Sequence, residues 1–253
     1  LQLKYLKNFS QKDTNFKYAG SIWAKNKSKK FGELKDKLSI VFNSKLSCKD
    51  LNSSIFFGPN EIRACCKRFF LNGERKGDAV LLEDTTEDLS FKKIQLAKYK
   101  LIKQINNEED NNCKKCPYIN RYKEFNKTLP INYISIEDFN YCNMKCTYCS
   151  PKYYGGKKSD YSLPLMLREL KIESENSRQP CKVVWGGGEP ILNPRFIEIN
   201  KTLDKWDNVE KVIILSNSTF FSPYLSDLLK NGKYHLVTSI DAGTKKTFDS
   251  IRK

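Results

Sequence analysis

Residues 132–149 read NYISIEDFNYCNMKCTYC. Asn132–Glu137 is predicted to be a strand, and the cysteines that follow, Cys142, Cys146 and Cys149, are separated by three and then two residues. A loop just past the C-terminal end of a strand is where α/β sheets and barrels place their chemistry. Three thiolates packed this closely can hold three corners of a cube-shaped [4Fe–4S] cluster. Such clusters usually take four thiolates, so three leave one iron open to a ligand that is not protein. Spacing alone also leaves zinc open. A zinc site would need a fourth donor, and the available ones are distant: Cys181, and His235, the single histidine of the chain.

Beyond this loop the pattern alternates. Helices are predicted over Tyr161–Ser174, Asn193–Trp206 and Ser222–Lys230, with Asn193 as an N-cap and Pro194 in the first turn. Strands are predicted over Lys182–Trp185, Val212–Leu215 and His235–Ile240, and Thr244–Arg252 reads as a further helix. Alternating strands and helices imply βα units and a parallel sheet or barrel. About four units are visible, fewer than a closed barrel needs. The expectation is an α/β chain with a partial (βα) barrel, truncated at its C-terminus or completed by something else. The first residue is Leu1, not Met, which fits a fragment or a processed chain.

The cysteine loop after a strand, with Tyr148 before its last cysteine, and Gly186-Gly187-Gly188-Glu189-Pro190 after the next strand together resemble the radical S-adenosylmethionine (SAM) superfamily. The resemblance covers about residues 131–253. It implies a [4Fe–4S] cluster on Cys142, Cys146 and Cys149 whose open iron is chelated by SAM. Reductive cleavage of SAM then yields a 5′-deoxyadenosyl radical that takes a hydrogen atom from the substrate. It further implies that Gly186, Gly187, Gly188 and Glu189 meet the methionine amino group, with Glu189 contacting it or holding the loop. Ser216 and Asn217 would lie near the ribose or carboxylate, and Ser239 and Asp241 would face ribose and methionine. Tyr148 would pack beside cluster and adenine. For each of these positions, helix capping, loop hydrogen bonding or core packing is the plain structural alternative.

Upstream, residues 46–128 read as a small α+β, cysteine-rich domain. Ser54–Phe57 is an apolar run, Gly58-Pro59-Asn60 is turn chemistry, and Glu61–Cys65 alternates like a half-buried strand. Ala79–Leu82 is a further strand, and residues 90–110 form a helix with Phe91, Ile94, Leu96, Ala97, Leu101, Ile102 and Ile105 at helical spacing. Cys113-x2-Cys116 is a chelating spacing. With Cys48, Gly58 and the Cys65-Cys66 pair it resembles the auxiliary-cluster modules called SPASM or twitch domains, although here it precedes the barrel. The resemblance implies a second [4Fe–4S] cluster on Cys48, Cys65, Cys113 and Cys116, with a zinc site as the alternative. Adjacent strand residues face opposite ways, and Cys66 shares the apolar face of Ile62 and Ala64, so Cys65 is the expected ligand. Cys181 reads as a buried thiol and His235 as a packed one. Tyr153-Tyr154-Gly155-Gly156 either shapes a substrate mouth or is a turn. Residues 1–45 are a lysine-rich extension with no assigned fold.

Composition bounds the rest. Hydrophobic residues make up 39% and charged residues 29% of 253, ordinary for a globular protein. No run approaches the roughly 18 apolar residues of a membrane span. Nine cysteines cannot all pair, and their clustering suits metal ligands in a reducing, cytoplasmic setting. Lys+Arg of 45 against Asp+Glu of 29 gives a net charge of +16, which opens nucleic acid as a partner, but the lysines are scattered and this is not the favoured reading. The expected partners are SAM, a reductant such as flavodoxin or ferredoxin, and a peptide, protein, small-metabolite or carbohydrate substrate. The alternatives are an RNA-modifying enzyme of the same superfamily and a non-catalytic iron–sulfur or zinc module.

Overall fold

The structure is a computed structural model that describes residues 44–122, 129–151, 154–177 and 179–253. The lysine-rich extension, apart from its last two residues, and Tyr153 lie outside the described residues. Lys45–Lys253 is one compact unit. Its strands are β1 (Lys45–Ser47), β2 (Ser54–Phe57), β3 (Ile62–Arg63), β4 (Arg68–Leu71), β5 (Glu74–Gly77), β6 (Val80–Leu82), β7 (Asn120–Tyr122), β8 (Tyr133–Ile136), β9 (Phe139–Tyr141), β10 (Gly155–Lys158), β11 (Cys181–Trp185), β12 (Val209–Ser216) and β13 (Tyr234–Thr238). Its helices are α1 (Lys49–Ser53), α2 (Phe91–Asn106), α3 (Leu163–Ser177), α4 (Phe196–Leu203), α5 (Pro223–Lys230) and α6 (Lys245–Ile251).

Seven strands form one sheet in the order β13-β12-β11-β8-β2-β3-β6. β13, β12, β11, β8 and β2 run parallel, while β3 and β6 are antiparallel additions at one edge. The parallel run follows from the βα alternation, since each helix returns the chain to start the next strand. Isoleucine, valine and tryptophan at Ile55, Ile134, Ile136, Val183, Trp185 and Val212 are buried against Leu163, Leu167, Phe196 and Ile199 of the helices. The sheet is open, and strands from either side of residue 128 share it: β2 pairs with β8 from Ser54↔Tyr133 to Phe57↔Ile136. The cysteine-rich segment is therefore bonded into the same sheet as the strands that follow it.

Several local expectations change. The strand drawn over Glu61–Cys65 stops at Arg63, so alternation does not reach Cys65 and Cys66. The β4–β5 hairpin lacks any counterpart in the sequence reading, although its signal is present. Asn72 and Gly73 have φ of 52° and 83°, the pair of left-handed residues a two-residue type I′ turn requires. Asn193 caps the turn that leads into the helix, its Oδ1 accepting from the Arg195 amide at 2.9 Å, and not the helix's own first residue. A short 3₁₀ turn, Pro190–Leu192, precedes it and α4 begins only at Phe196. Leu96 is 59% exposed, and Lys98 stands instead on the buried stripe of α2. Among the described residues no helix is long and apolar enough to cross a membrane.

Ile55 is fully buried in the strand that joins the two segments. Ile55→Ala is expected to cost about 2–5 kcal/mol. Urea unfolding followed by tryptophan fluorescence and by far-UV circular dichroism should show one coincident transition, shifted as a whole.

Candidate metal and cofactor site

The parallel strands bring their C-terminal ends to one edge: Glu137 after β8, Gly186 after β11, Asn217 after β12 and Ser239 after β13. The cysteine loop does not leave β8 directly. A short strand, β9, intervenes and pairs antiparallel with β10, so the loop is bracketed at both ends. Gly155 and Gly156 fall in or at this ladder, which makes them part of the bracket.

Cys142, Cys146 and Cys149 are each half-buried. Burial raises the Cys142 and Cys149 thiols; Cys146 adds to the rise at Cys142, and Cys146 and Cys142 add to that at Cys149. The Cys142 sulfur accepts from the Met144 amide at 3.4 Å and from Asn217 Nδ2 at 3.6 Å. A metal group ligated here would replace the protons that these shifts favour.

Gly186–Glu189 crosses the end of β9. Gly186 donates to the Ile136 carbonyl at 3.0 Å and Glu189 to the Tyr141 carbonyl at 2.8 Å. A Cβ on Gly188 would stand 2.0 Å from the Tyr141 carbonyl oxygen, and Gly187 has φ of +86°. These glycines are thus required by backbone crossing backbone. Glu189 is buried, and its Oε2 accepts from the Asn217 amide at 2.7 Å. Its Oε1 is buried with no hydrogen-bond partner among the described residues. A buried carboxylate oxygen left without a donor is costly, and an ammonium group beside Cys142 would satisfy it. The donor set therefore fits an iron–sulfur cluster with an amino-acid ligand.

The other expected positions hold the loop. Ser216 Oγ accepts from the Ser218 amide at 2.9 Å, a local turn bond. Tyr148 is 62% exposed, and its hydroxyl donates to Asp241 Oδ2 at 2.8 Å. Arg252 pairs with Asp241 and donates to the Ser239 carbonyl. The Lys145 and Thr147 amides donate to the Lys253 and Ile251 carbonyls. Tyr148, Ser239 and Asp241 thereby form a clasp between the cysteine loop and the end of α6. Asp138 and Arg195 escaped the sequence reading. Asp138 is fully buried and paired with Arg195, Asn193 and Ser159, which ties β8 to the start of α4. Desolvation pushes its carboxyl up despite Arg195.

The second cysteine set converges as well. Ser47 of β1 pairs with Asn120 of β7, which sets Cys48 beside the Cys113–Cys116 turn. Cys48 interacts electrostatically with Cys65, and Cys113 with Cys65, Cys48 and Cys116. Burial, then these neighbours, push the Cys113 thiol up to about 12. Cys66 is exposed and sees Glu137, Arg63 and Asp78 instead. Arg63 is itself held by Glu137 at 2.5 Å and Glu61 at 3.3 Å. A cavity of about 610 Å³ opens onto Cys113 and Cys116. Among the described residues no three Cys, His, Asp or Glu side chains stand in a closed ligand cage, at either set. Cys181 is buried at the start of β11, and His235 is half-buried in β13.

The loop after β9 thus carries three thiols, is crossed by a glycine run and is faced by a buried glutamate. Residues 136–253 match the Radical SAM superfamily. Among curated proteins the chain is similar to GTP 3′,8-cyclase of Desulforamulus reducens, 26% identical over 125 residues, 49% of this chain and 38% of that protein. The enzyme of the same name from Vibrio atlanticus is 29% identical over 123 residues, 47% and 36% of the two chains. That from Clostridium acetobutylicum is 29% identical over 121 residues, 48% and 38%. The match therefore spans little more than a third of each relative's length.

The clasp predicts a pH response. Donation from Tyr148, then Arg252, holds the Asp241 carboxyl below its ordinary value of about 3.9. The clasp is therefore fully formed above that value and is lost as pH falls through the depressed one. Asp241→Asn should mimic the acid state at neutral pH, with faster amide exchange at Thr147, measured by hydrogen–deuterium exchange.

Proposed function

We propose that this chain is a radical SAM enzyme that uses two metal groups. One is a [4Fe–4S] cluster on Cys142, Cys146 and Cys149. The other is a second [4Fe–4S] cluster on Cys48, Cys65, Cys113 and Cys116. The observation that carries the reading is Glu189 Oε1, buried without a donor next to the Cys142 loop. When bound, the first cluster supplies the electron that splits SAM into methionine and a 5′-deoxyadenosyl radical. The protein's own task is to orient and to shield. Glu189 holds the amino group of SAM, and Asn217 fixes Glu189 while donating to the Cys142 sulfur. The Tyr148–Asp241–Arg252 clasp keeps the loop in register with the strand ends.

A cavity of about 610 Å³ supports the place of the substrate. Cys149 and Tyr148 line one side. Asn112, next to Cys113, lines another, with Arg63, Arg75 and Asp78 between. This volume suits a small molecule or the side chain of a peptide. The cavity lies between the two thiol sets, which favours oxidative chemistry in which the second cluster takes up an electron. The substrate class is a peptide, protein, small metabolite or carbohydrate. The relatives' names specify GTP for those proteins, and the short shared length gives no reason to carry it over. The net charge of +16 suits docking of an acidic one-electron donor of the flavodoxin or ferredoxin type.

Anaerobic reconstitution of the full chain should give about eight irons per chain. About four irons with one zinc would instead assign zinc to the second set. Glu189→Gln should keep both clusters, read by visible absorbance, and lose about 10–100-fold in SAM affinity, the worth of a charge-assisted hydrogen bond of about 1.5–3 kcal/mol. Unchanged affinity would remove Glu189 from the SAM site.

A further inference from the structure

Lys98 has no exposed surface, and its Nζ has no hydrogen-bond partner among the described residues. An ammonium buried without an anion is costly by several kcal/mol, so a lysine in this place calls for a partner. Its position leaves little freedom. Phe91, Ile94, Lys98, Leu101, Ile102 and Ile105 form the buried stripe of α2. The first two enter the main core. The last three pack with Cys48, Cys113, Leu51 and Ala64 in a second, smaller core, with Cys65 and Cys116 against it. Lys98 lies one turn before Leu101 and Ile102, on the same face. Cys48 is the ionisable group whose charge acts on it.

Four free thiols are neutral and offer such a cation nothing. Ligation changes this. Four thiolates around Zn²⁺, or around a [4Fe–4S]²⁺ core, each leave a net charge of −2. We infer that Lys98 is the buried counter-charge of a dianionic tetrathiolate metal group held by Cys48, Cys65, Cys113 and Cys116. The inference rests on the second metal site proposed above and says what the fold supplies to it beyond ligands. Lys98 is a positioning residue that compensates charge. In the metal-free protein desolvation pushes the ammonium down to about 7, toward the neutral amine. The two chemistries share one charge, and they differ in what a reductant does. Reducing the cluster adds a negative charge that Lys98 stabilises, whereas zinc does not change oxidation state.

The test is Lys98→Met in the full chain, since Met matches the length and apolar character of the stem. Without metal, the variant should unfold at a temperature equal to or above that of the wild type, because an orphan charge has been removed. With metal, it should release the second group to a chelator about 10–100-fold faster, the usual penalty for losing an outer-shell partner. If the group is a cluster, its midpoint potential in an anaerobic electron paramagnetic resonance titration should shift to lower values. The cluster at Cys142–Cys149 should keep its own signal in the same sample. A variant that retains the second group with unchanged release rate and potential overturns the role of Lys98 alone. Wild-type protein whose metal content does not fall on Cys48→Ser plus Cys113→Ser overturns the second site and this inference with it. A variant less stable without metal, and otherwise unchanged, shows Lys98 to be packing only.

Discussion

The parallel pairing of Ser54–Phe57 with Tyr133–Ile136 is the constraint on which the rest depends. It joins two stretches more than seventy residues apart in sequence. One lies among Cys48, Cys65, Cys113 and Cys116, and the other leads into the Cys142–Cys149 loop. Every backbone group in a central strand must find a partner, and β8 satisfies both of its edges, on β2 and on β11. Removing either neighbour would expose a row of amides and carbonyls. The cysteine-rich segment is thus held by ladder hydrogen bonds, and Arg63–Glu137 adds an ion pair across the same boundary.

That pairing sets the chemistry of both edges. β2 and β8 run the same way, so Gly58 and Glu137 emerge together, near the loop that bears Cys142. Tyr161 secures this corner by donating to the Gly58 carbonyl at 2.7 Å. β3 runs back the other way, so Cys65 returns toward the start of β2, where Cys48 caps α1 through its sulfur. Helix α2 spans both regions and presents one apolar stripe to two cores. Lys98 falls where the stripe passes from one to the other.

The site also shows two different uses of glycine and acid. Gly188 is glycine because the Tyr141 carbonyl occupies the space of a Cβ. Glu189 is buried because that same crossing carries it beneath the loop, where one oxygen meets the Asn217 amide and the other has no partner among the described residues. Packing thus creates the unsatisfied acceptor. The same strand crossing serves stability and leaves a place for a ligand.

Much was legible in the sequence because it is local. The βα alternation follows from hydrophobic periodicity, and the thiol spacing within residues 142–149 is itself a ligand pattern. The caps Ser90, Ser222 and Thr244 accept from backbone amides as their positions before helices imply. Other features depend on contacts between distant segments. The strand at Ile62–Arg63 is short, and Arg63 pairs with Glu137, Glu61 and Asp78, partners that no alternation rule anticipates. Tyr148 and Asp241 are a bonded pair ninety-three residues apart. Lys98 looks like any surface lysine of an amphipathic helix until the fold closes over it. By itself, then, the sequence determined the element types, the two thiol sets and the glycine run, since these are properties of neighbouring residues. Tertiary structure alone decided that both segments share a sheet and that Lys98 is buried, because strand pairing and burial are set by what the rest of the chain packs against a residue.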